Sequence, residues 1–245
     1  MLSDSKRKLL ELRLRGENAP AHEPMRRPDG PLPLSFAQQR LWFLDQLEPG
    51  SAEYNVPVSL RLSGALDVPA LAQALDTVVE RHEVLRTRLV PDEDGVAHQV
   101  IDPPGGFELA VVDLSGRPDP EGRAAELVAE DTVAPFDLAA GPLFRGRLLR
   151  LGAEDHVLSL CMHHVVSDEW SAGVLRRELS VLYAAFCRGG RSPLTPLAVQ
   201  YADFAAWQRD RLRGEVLEGQ LGYWTERLAG ATALELPTDR PRPPV

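Results

Sequence analysis

The segment Met162-His163-His164-Val165-Val166-Ser167-Asp168-Glu169-Trp170-Ser171 sets two imidazoles side by side and a carboxylate four residues after the second. Imidazole is the side chain whose ordinary pKa lies between pH 5 and 8, so it can hold, accept or return a proton near neutrality. The preceding run, Val157-Leu-Ser-Leu-Cys-Met162, is almost continuously apolar, as a strand covered on both faces would be. Successive strand residues point to opposite faces. One of the two histidines can therefore enter a cavity while the other is held inside the protein. Asp168 is near enough in sequence to anchor a neighbouring group.

Other chemistries fit these residues less well. Cys161 and His163 share a strand face, but no third ligand stands at a recognised spacing, so no metal is expected. A Ser-His-Asp triad would need a nucleophile elbow, and the chain has no Gly-x-Ser-x-Gly. The plain structural alternative is a pair of ordinary core and surface histidines.

The elements that must position the pair follow from patterning. Helix is expected over Ala37–Leu47 and over Val68–His82, the latter with Asp67 as N-cap, Pro69 in its first turn, and Leu71, Leu75, Val78 and Val79 on one face. Leu85–Val90 and Val96–Ile101 read as a hairpin around Pro91-Asp-Glu-Asp-Gly95, followed by a short strand at Phe107–Leu114 and a helix at Gly122–Val133. A second hairpin turns at Gly152-Ala-Glu-Asp155 and delivers the histidines. After them Val174, Leu175, Leu179, Leu182 and Phe186 recur at helical spacing until Gly189-Gly190, and two further helices are expected at Tyr201–Arg211 and Glu215–Leu228. This order predicts an α+β fold, a mixed sheet flanked by helices.

The 245 residues, 44% hydrophobic and 26% charged, suffice for a proper core. A net charge of -9 argues against nucleic acid or an anionic membrane as main partner. No apolar run approaches a membrane span, no signal peptide is recognisable, and two cysteines, Cys161 and Cys187, are too few for a disulfide scaffold. A cytoplasmic location is expected. Residues 1–30 read as a separate helix (Lys6–Arg15) and linker, a candidate docking segment. Residues 31–236 form the body, and 237–245 are proline-dense and extended.

Four blocks in order carry a family resemblance. Met162–Ser171 is similar to the His-His-x-x-x-Asp-Gly signature of nonribosomal peptide synthetase condensation domains and their chloramphenicol acetyltransferase-like relatives. Ser35-Phe-Ala-Gln-Gln-Arg-Leu-Trp-Phe-Leu44 resembles the first condensation motif, Arg81-His-Glu-Val-Leu-Arg-Thr-Arg88 the second and Tyr201-Ala-Asp-Phe-Ala-Ala-Trp207 the fourth. Read without the family, these three blocks are helix starts, helix ends and aromatic packing that hold the lobe together.

The resemblance implies a chloramphenicol acetyltransferase-like lobe, the first of two that flank a tunnel, with the second expected beyond residue 245. It implies amide-bond formation between a donor acyl or peptidyl thioester and an acceptor aminoacyl thioester. Both ride on phosphopantetheine arms of carrier (thiolation) domains, in a protein that also holds an adenylation domain, with no cofactor bound directly. By the same resemblance His164 is the catalytic histidine. His163 and Asp168 support it, and Asp168 pairs with an arginine of the second block, Arg81 ahead of Arg86. The sequence departs from the family at Glu169, where glycine is usual. A left-handed backbone there would strain Glu169; otherwise its carboxylate points to solvent, narrows the channel or adds an acid–base group, for example for dehydration. The rival functions are a non-catalytic recruitment domain of the same fold and a stand-alone CoA-dependent acyltransferase.

Overall fold

In a computed structural model, residue 27, residues 30–232, residue 237 and residues 239–240 are described. The expected helix at 6–15, most of the linker and most of the proline-rich end lie outside them. A short strand β1 (Leu32–Pro33) leads to α1 (Phe36–Leu47), β2 (Asn55–Ser63), α2 (Val68–Arg81), a single 3-10 turn (Glu83–Arg86), β3 (Thr87–Pro91), β4 (Ala97–Ile101) and β5 (Ala110–Asp113). Then come α3 (Pro120–Val133), β6 (Phe144–Gly152), β7 (Asp155–His163), α4 (Glu169–Phe186), α5 (Tyr201–Arg211) and α6 (Gly214–Leu228). The expected α+β class holds, with the strands divided between two sheets: β1-β4-β3, and a mixed sheet ordered β2-β7-β6-β5 in which β5 and β6 are parallel.

Local chemistry sets the helix starts. Ser35 caps α1 and exchanges a reciprocal box with Gln38, Asp67 accepts from the Ala70 amide at α2, and Asp119 does the same for Gly122 at α3. α2 begins at Val68 as expected, while α1 and α3 begin one and two residues earlier than expected, at Phe36 and Pro120. No element was expected at Asn55–Ser63, which forms β2. Its signal was present: Val58, Leu60 and Leu62 turn inward between exposed Pro57, Ser59, Arg61 and Ser63. Pro57 is tolerated because β2 is an edge strand.

β7 pairs with β2 over Asp155–His163 and with β6 over Asp155–Met162, with a register shift between Arg150 and Gly152, and is nearly all buried. Its two faces feed two cores. Leu158, Leu160 and Met162 join Leu71, Leu75, Val78, Leu175, Leu179 and Leu182 under α2 and α4. Leu149 and Leu151 of β6 meet Ala124 and Leu127 of α3 on the opposite side. Burying each leucine contributes roughly 1.5–3 kcal/mol, so the strand that carries the histidines lies in the most firmly packed part of the protein.

α2 and α4 are also bolted by charge. Glu178, on the buried face of α4, accepts from Arg81 Nε at 3.2 Å and lies 2.7 Å from His82 Nε2. Arg81 also donates to the Thr195 carbonyl, tying in the chain that leads to α5. The expected Arg81–Asp168 pair is thus replaced, because the end of α2 packs against the middle of α4 rather than its start. Arg86 is not Asp168's partner either: it donates to the Asp102 carbonyl and approaches Glu83 at 3.8 Å. Removing one member of a buried charge cluster leaves its partners uncompensated, at about 3–5 kcal/mol. Glu178→Ala should therefore lower the melting temperature by on the order of 10 °C. A calorimetric shift under about 2 °C would show that the cluster does not hold the helices together.

Candidate functional site

The ladder of β7 ends by turning the two histidines in opposite directions. The His163 amide donates to the Leu143 carbonyl ahead of β6 at 3.0 Å, and the His164 amide to the Tyr54 carbonyl ahead of β2 at 2.8 Å. Both are thereby fixed by the sheet, and the alternation read from sequence is what the fold uses. His163 is 3% exposed, with its ring beside Phe136 and Tyr54. Its Nδ1 accepts from the Val165 amide at 3.1 Å, which leaves the proton of the neutral ring on Nε2. Burial, with the neighbouring His164 adding to it, pushes its pKa down to about 4. His163 is a neutral structural wedge at physiological pH.

His164 is exposed. Its Nδ1 lies 2.7 Å from the Ser167 carbonyl oxygen, and since a carbonyl can only accept, Nδ1 must carry the proton. In the neutral ring the lone pair of Nε2 is then free to take a proton or a hydrogen bond from a substrate. The imidazole stands in the wall of a cavity of about 230 Å³, shared with Ala37, Arg40, Tyr54, Val84, Asp168 and Tyr201 among others. A second, mostly apolar cavity of about 340 Å³ adjoins it and shares Val84, Val166, Ser167, Ser171 and Tyr201 as walls.

Asp168 lies in this first cavity, but its carboxylate is engaged locally. It caps α4, accepting from the Ser171 amide at 2.7 Å and the Ser171 hydroxyl at 2.6 Å. Those bonds, the hydroxyl's foremost, hold its pKa below the usual carboxylate range. The arginines expected to pair with it are engaged elsewhere, Arg81 with Glu178 and Arg86 with the Asp102 carbonyl. Glu169 is the first residue of α4 and exposed. No non-glycine residue among those described has a positive φ, so the expected strain at Glu169 does not exist. Glu169 is not among the residues lining the His164 cavity. A helix N-terminus is where a carboxylate is electrostatically welcome.

Four side chains that the sequence did not single out as site residues complete the setting. Ser35 Oγ and Tyr201 OH lie 2.9 Å apart, joining the first and fourth blocks. Gln38, 1% exposed, donates to Gln99 at 3.2 Å and to the Val165 carbonyl at 3.4 Å in the loop just past His164. Ser35, Gln38 and Tyr201 had a signal in the first and fourth blocks themselves; Gln99 lies outside every block and had none. Among the described residues no group of three or more His, Cys, Asp or Glu is placed to hold a metal. Cys161 is buried and free, its thiol pushed up by that burial, and Cys187 is exposed and free. No helix of the described residues is long and apolar enough to cross a membrane.

A family model for the condensation domain matches residues 29–245. The chain belongs to the condensation domain family. Among curated relatives, malpinin synthetase of Mortierella alpina is 49% identical over 216 residues, covering 88% of this chain and 3% of that protein. Phosphinothricin tripeptide synthetase PhsC of Streptomyces viridochromogenes is 49% identical over 251 residues, covering 100% of this chain and 23% of that protein. Of solved structures, the first condensation domain of the CDA synthetase aligns with a TM-score of 0.73 at 27% identity, over 83% of this chain and 52% of that one. A chain of the complex of the X-domain and OxyB from teicoplanin biosynthesis aligns at 0.80 and 34% identity, over 92% and 49%. This condensation-domain chain thus spans about half the length of these solved chains and a small part of the synthetases.

The roles of Asp168 and His163 can each be measured. If Asp168 is a cap, Asp168→Ala should cost about 1 kcal/mol, a melting shift of roughly 2–4 °C, while Asp168→Asn, an equally good cap, should melt like wild type. An equal loss in both variants would point back to an ion pair. For His163 the unfolded chain binds a proton below about pH 6.5 and the native state only near pH 4. Stability should therefore fall as pH drops through that window, by roughly 3 kcal/mol in total. Urea denaturation at pH 7 and 4.5 should show this loss in wild type and much less of it in His163→Gln; matching losses would contradict it.

Proposed function

We propose that this chain supplies the histidine-bearing half of an amide-forming site. In it an acceptor aminoacyl amine attacks a donor acyl or peptidyl thioester, both delivered on phosphopantetheine arms of carrier domains in a peptide synthetase that also contains adenylation domains. The observation that carries the reading is the placement of His164, whose Nδ1 is held by the Ser167 carbonyl at the wall of an open cavity, so that in the neutral ring Nε2 is the free acceptor. The synthetase relatives and the family match support the substrate class.

The chemistry asked of His164 is modest. An α-amino group has a pKa of about 8, so near neutrality a useful fraction is already nucleophilic. As its nitrogen bonds to the thioester carbon, it becomes acidic and its surplus proton passes to His164 Nε2. The carbon–sulfur bond then breaks, the amide forms, and the imidazolium returns the proton to the leaving thiolate. Positioned proton transfer of this kind contributes about 10²–10⁴-fold. Holding two tethered substrates in line contributes more. His163 keeps the strand end in place, Asp168 holds the start of α4, and Glu169 lies outside the reacting cavity.

Residues 31–236 act in this reading as one lobe of a two-lobed unit whose partner lobe closes the open side of the cavity. The solved neighbours, about twice as long, support that arrangement. The test is intact-mass analysis of carrier proteins loaded with donor and acceptor, using the synthetase that carries this chain. His164→Ala should lower amide formation by about 10²-fold or more with an unchanged melting temperature. Amide formation at the wild-type rate in His164→Ala would overturn the proposal.

A further inference from the structure

We propose that Gln38, a buried member of the first block, is a positioning residue for His164, acting through the backbone of the loop between β7 and α4. The side chain is 1% exposed, and both ends of its amide are engaged. Its Oε1 accepts from the Ser35 amide at 3.0 Å. Its Nε2 donates to Gln99 Oε1 at 3.2 Å and to the Val165 carbonyl at 3.4 Å. The amide orientation is thus dictated: only the oxygen can meet the Ser35 N–H, and only the nitrogen can meet two oxygens.

Past His164, the other bonds of that loop are local. The Val166 amide and the Ser167 hydroxyl both donate to the His163 carbonyl, at 3.0 and 3.2 Å, and the Val165 amide to the His163 ring. These bonds fold the loop on itself; the His164 amide holds its start to the Tyr54 carbonyl, but none of them ties the stretch past His164 to α1. Gln38 does, reaching from α1 to the carbonyl that immediately follows His164. What it steadies has a chemical consequence. The Ser167 carbonyl, two residues on, is the acceptor that selects the Nδ1–H tautomer of His164 and so leaves Nε2 free. A loop released from Gln38 lets that carbonyl drift, and His164 then samples the tautomer whose Nε2 is already protonated and useless as an acceptor. The first block in this way sets the protonation state of the outward histidine through a carbonyl 127 residues further along the chain, without touching substrate.

The structural effect is read on this chain alone and does not depend on the reaction proposed above; only its kinetic consequence rests on that reading. Imidazole nitrogen NMR of the 15N-labelled chain reports which His164 nitrogen bears the proton. Once the ring is brought to its neutral form, wild type should show the proton on Nδ1 and not on Nε2. Gln38→Met and Gln38→Leu keep apolar bulk and remove the donors, and should show a mixture of tautomers. Gln99→Met disturbs the same buried polar cluster, leaves the Val165 contact in place, and should retain the wild-type signature. In the parent synthetase Gln38→Met should lower kcat roughly 10- to 100-fold with KM for loaded carriers within about twofold. An unchanged His164 signature in both Gln38 variants would overturn the inference. So would an equal change in Gln99→Met, or failure of both Gln38 variants to fold, since either makes Gln38 a residue of the core rather than of the loop. A tautomer mixture without the fall in kcat would leave the positioning role standing and count against the catalytic role of His164.

Discussion

The alternation of side chains at the end of one buried strand is the constraint on which the site depends. β7 is paired with β2 up to His163 and with β6 up to Met162, and the His163 amide bonds on to the Leu143 carbonyl, so neither histidine can rotate to the other's face without breaking these bonds. One imidazole is forced into the core, where burial keeps it neutral. The other is forced out at the point where regular pairing stops and a loop begins. The division of labour between two identical side chains is therefore a property of the sheet, and needs no special chemistry in either ring.

Beyond the ladder, the loop from His164 to Asp168 is held by a set of short polar contacts, each weak alone. The Ser167 carbonyl orients the outward ring, Asp168 starts α4, and Gln38 and the Ser35–Tyr201 pair bring in α1 and α5. A buried amide or hydroxyl without a partner costs roughly 1–3 kcal/mol, so such a network favours one arrangement of the loop over its neighbours. Below it, the Arg81–Glu178–His82 cluster fixes α4 against α2, so that the helix whose start forms one wall of the cavity cannot slide.

Much of this was legible in the sequence, for reasons that differ between elements. Capping residues and apolar spacing located α1, α2, α3 and α4, because those signals are local. The outward and inward histidines followed from the period of a strand. β2 was passed over although Val58, Leu60 and Leu62 alternate clearly, since nine residues with a proline near one end make a weak local signal that only pairing with β7 makes decisive. The partner of Arg81 was misassigned for a similar reason. Glu178 lies 97 residues away in the chain, and its pairing depends on how two helices cross, which spacing does not encode. The glycine-to-glutamate departure at Glu169 left strain, solvent exposure, a narrowed channel or new chemistry open, and an exposed place in an ordinary first helical turn fits the solvent reading.

Two adjacent histidines that differ in accessibility, the outward one being the proposed proton acceptor, should differ in their reaction with diethyl pyrocarbonate. Treating the parent synthetase with that reagent at neutral pH, with fragment-ion mass spectrometry to separate the two sites, tests both halves of the claim at once. His164 should be modified first, amide formation should be lost in step with it, and His163 should react only when the protein unfolds. Equal modification of His163 and His164 in the folded protein, or amide formation that survives complete modification of His164, would contradict this.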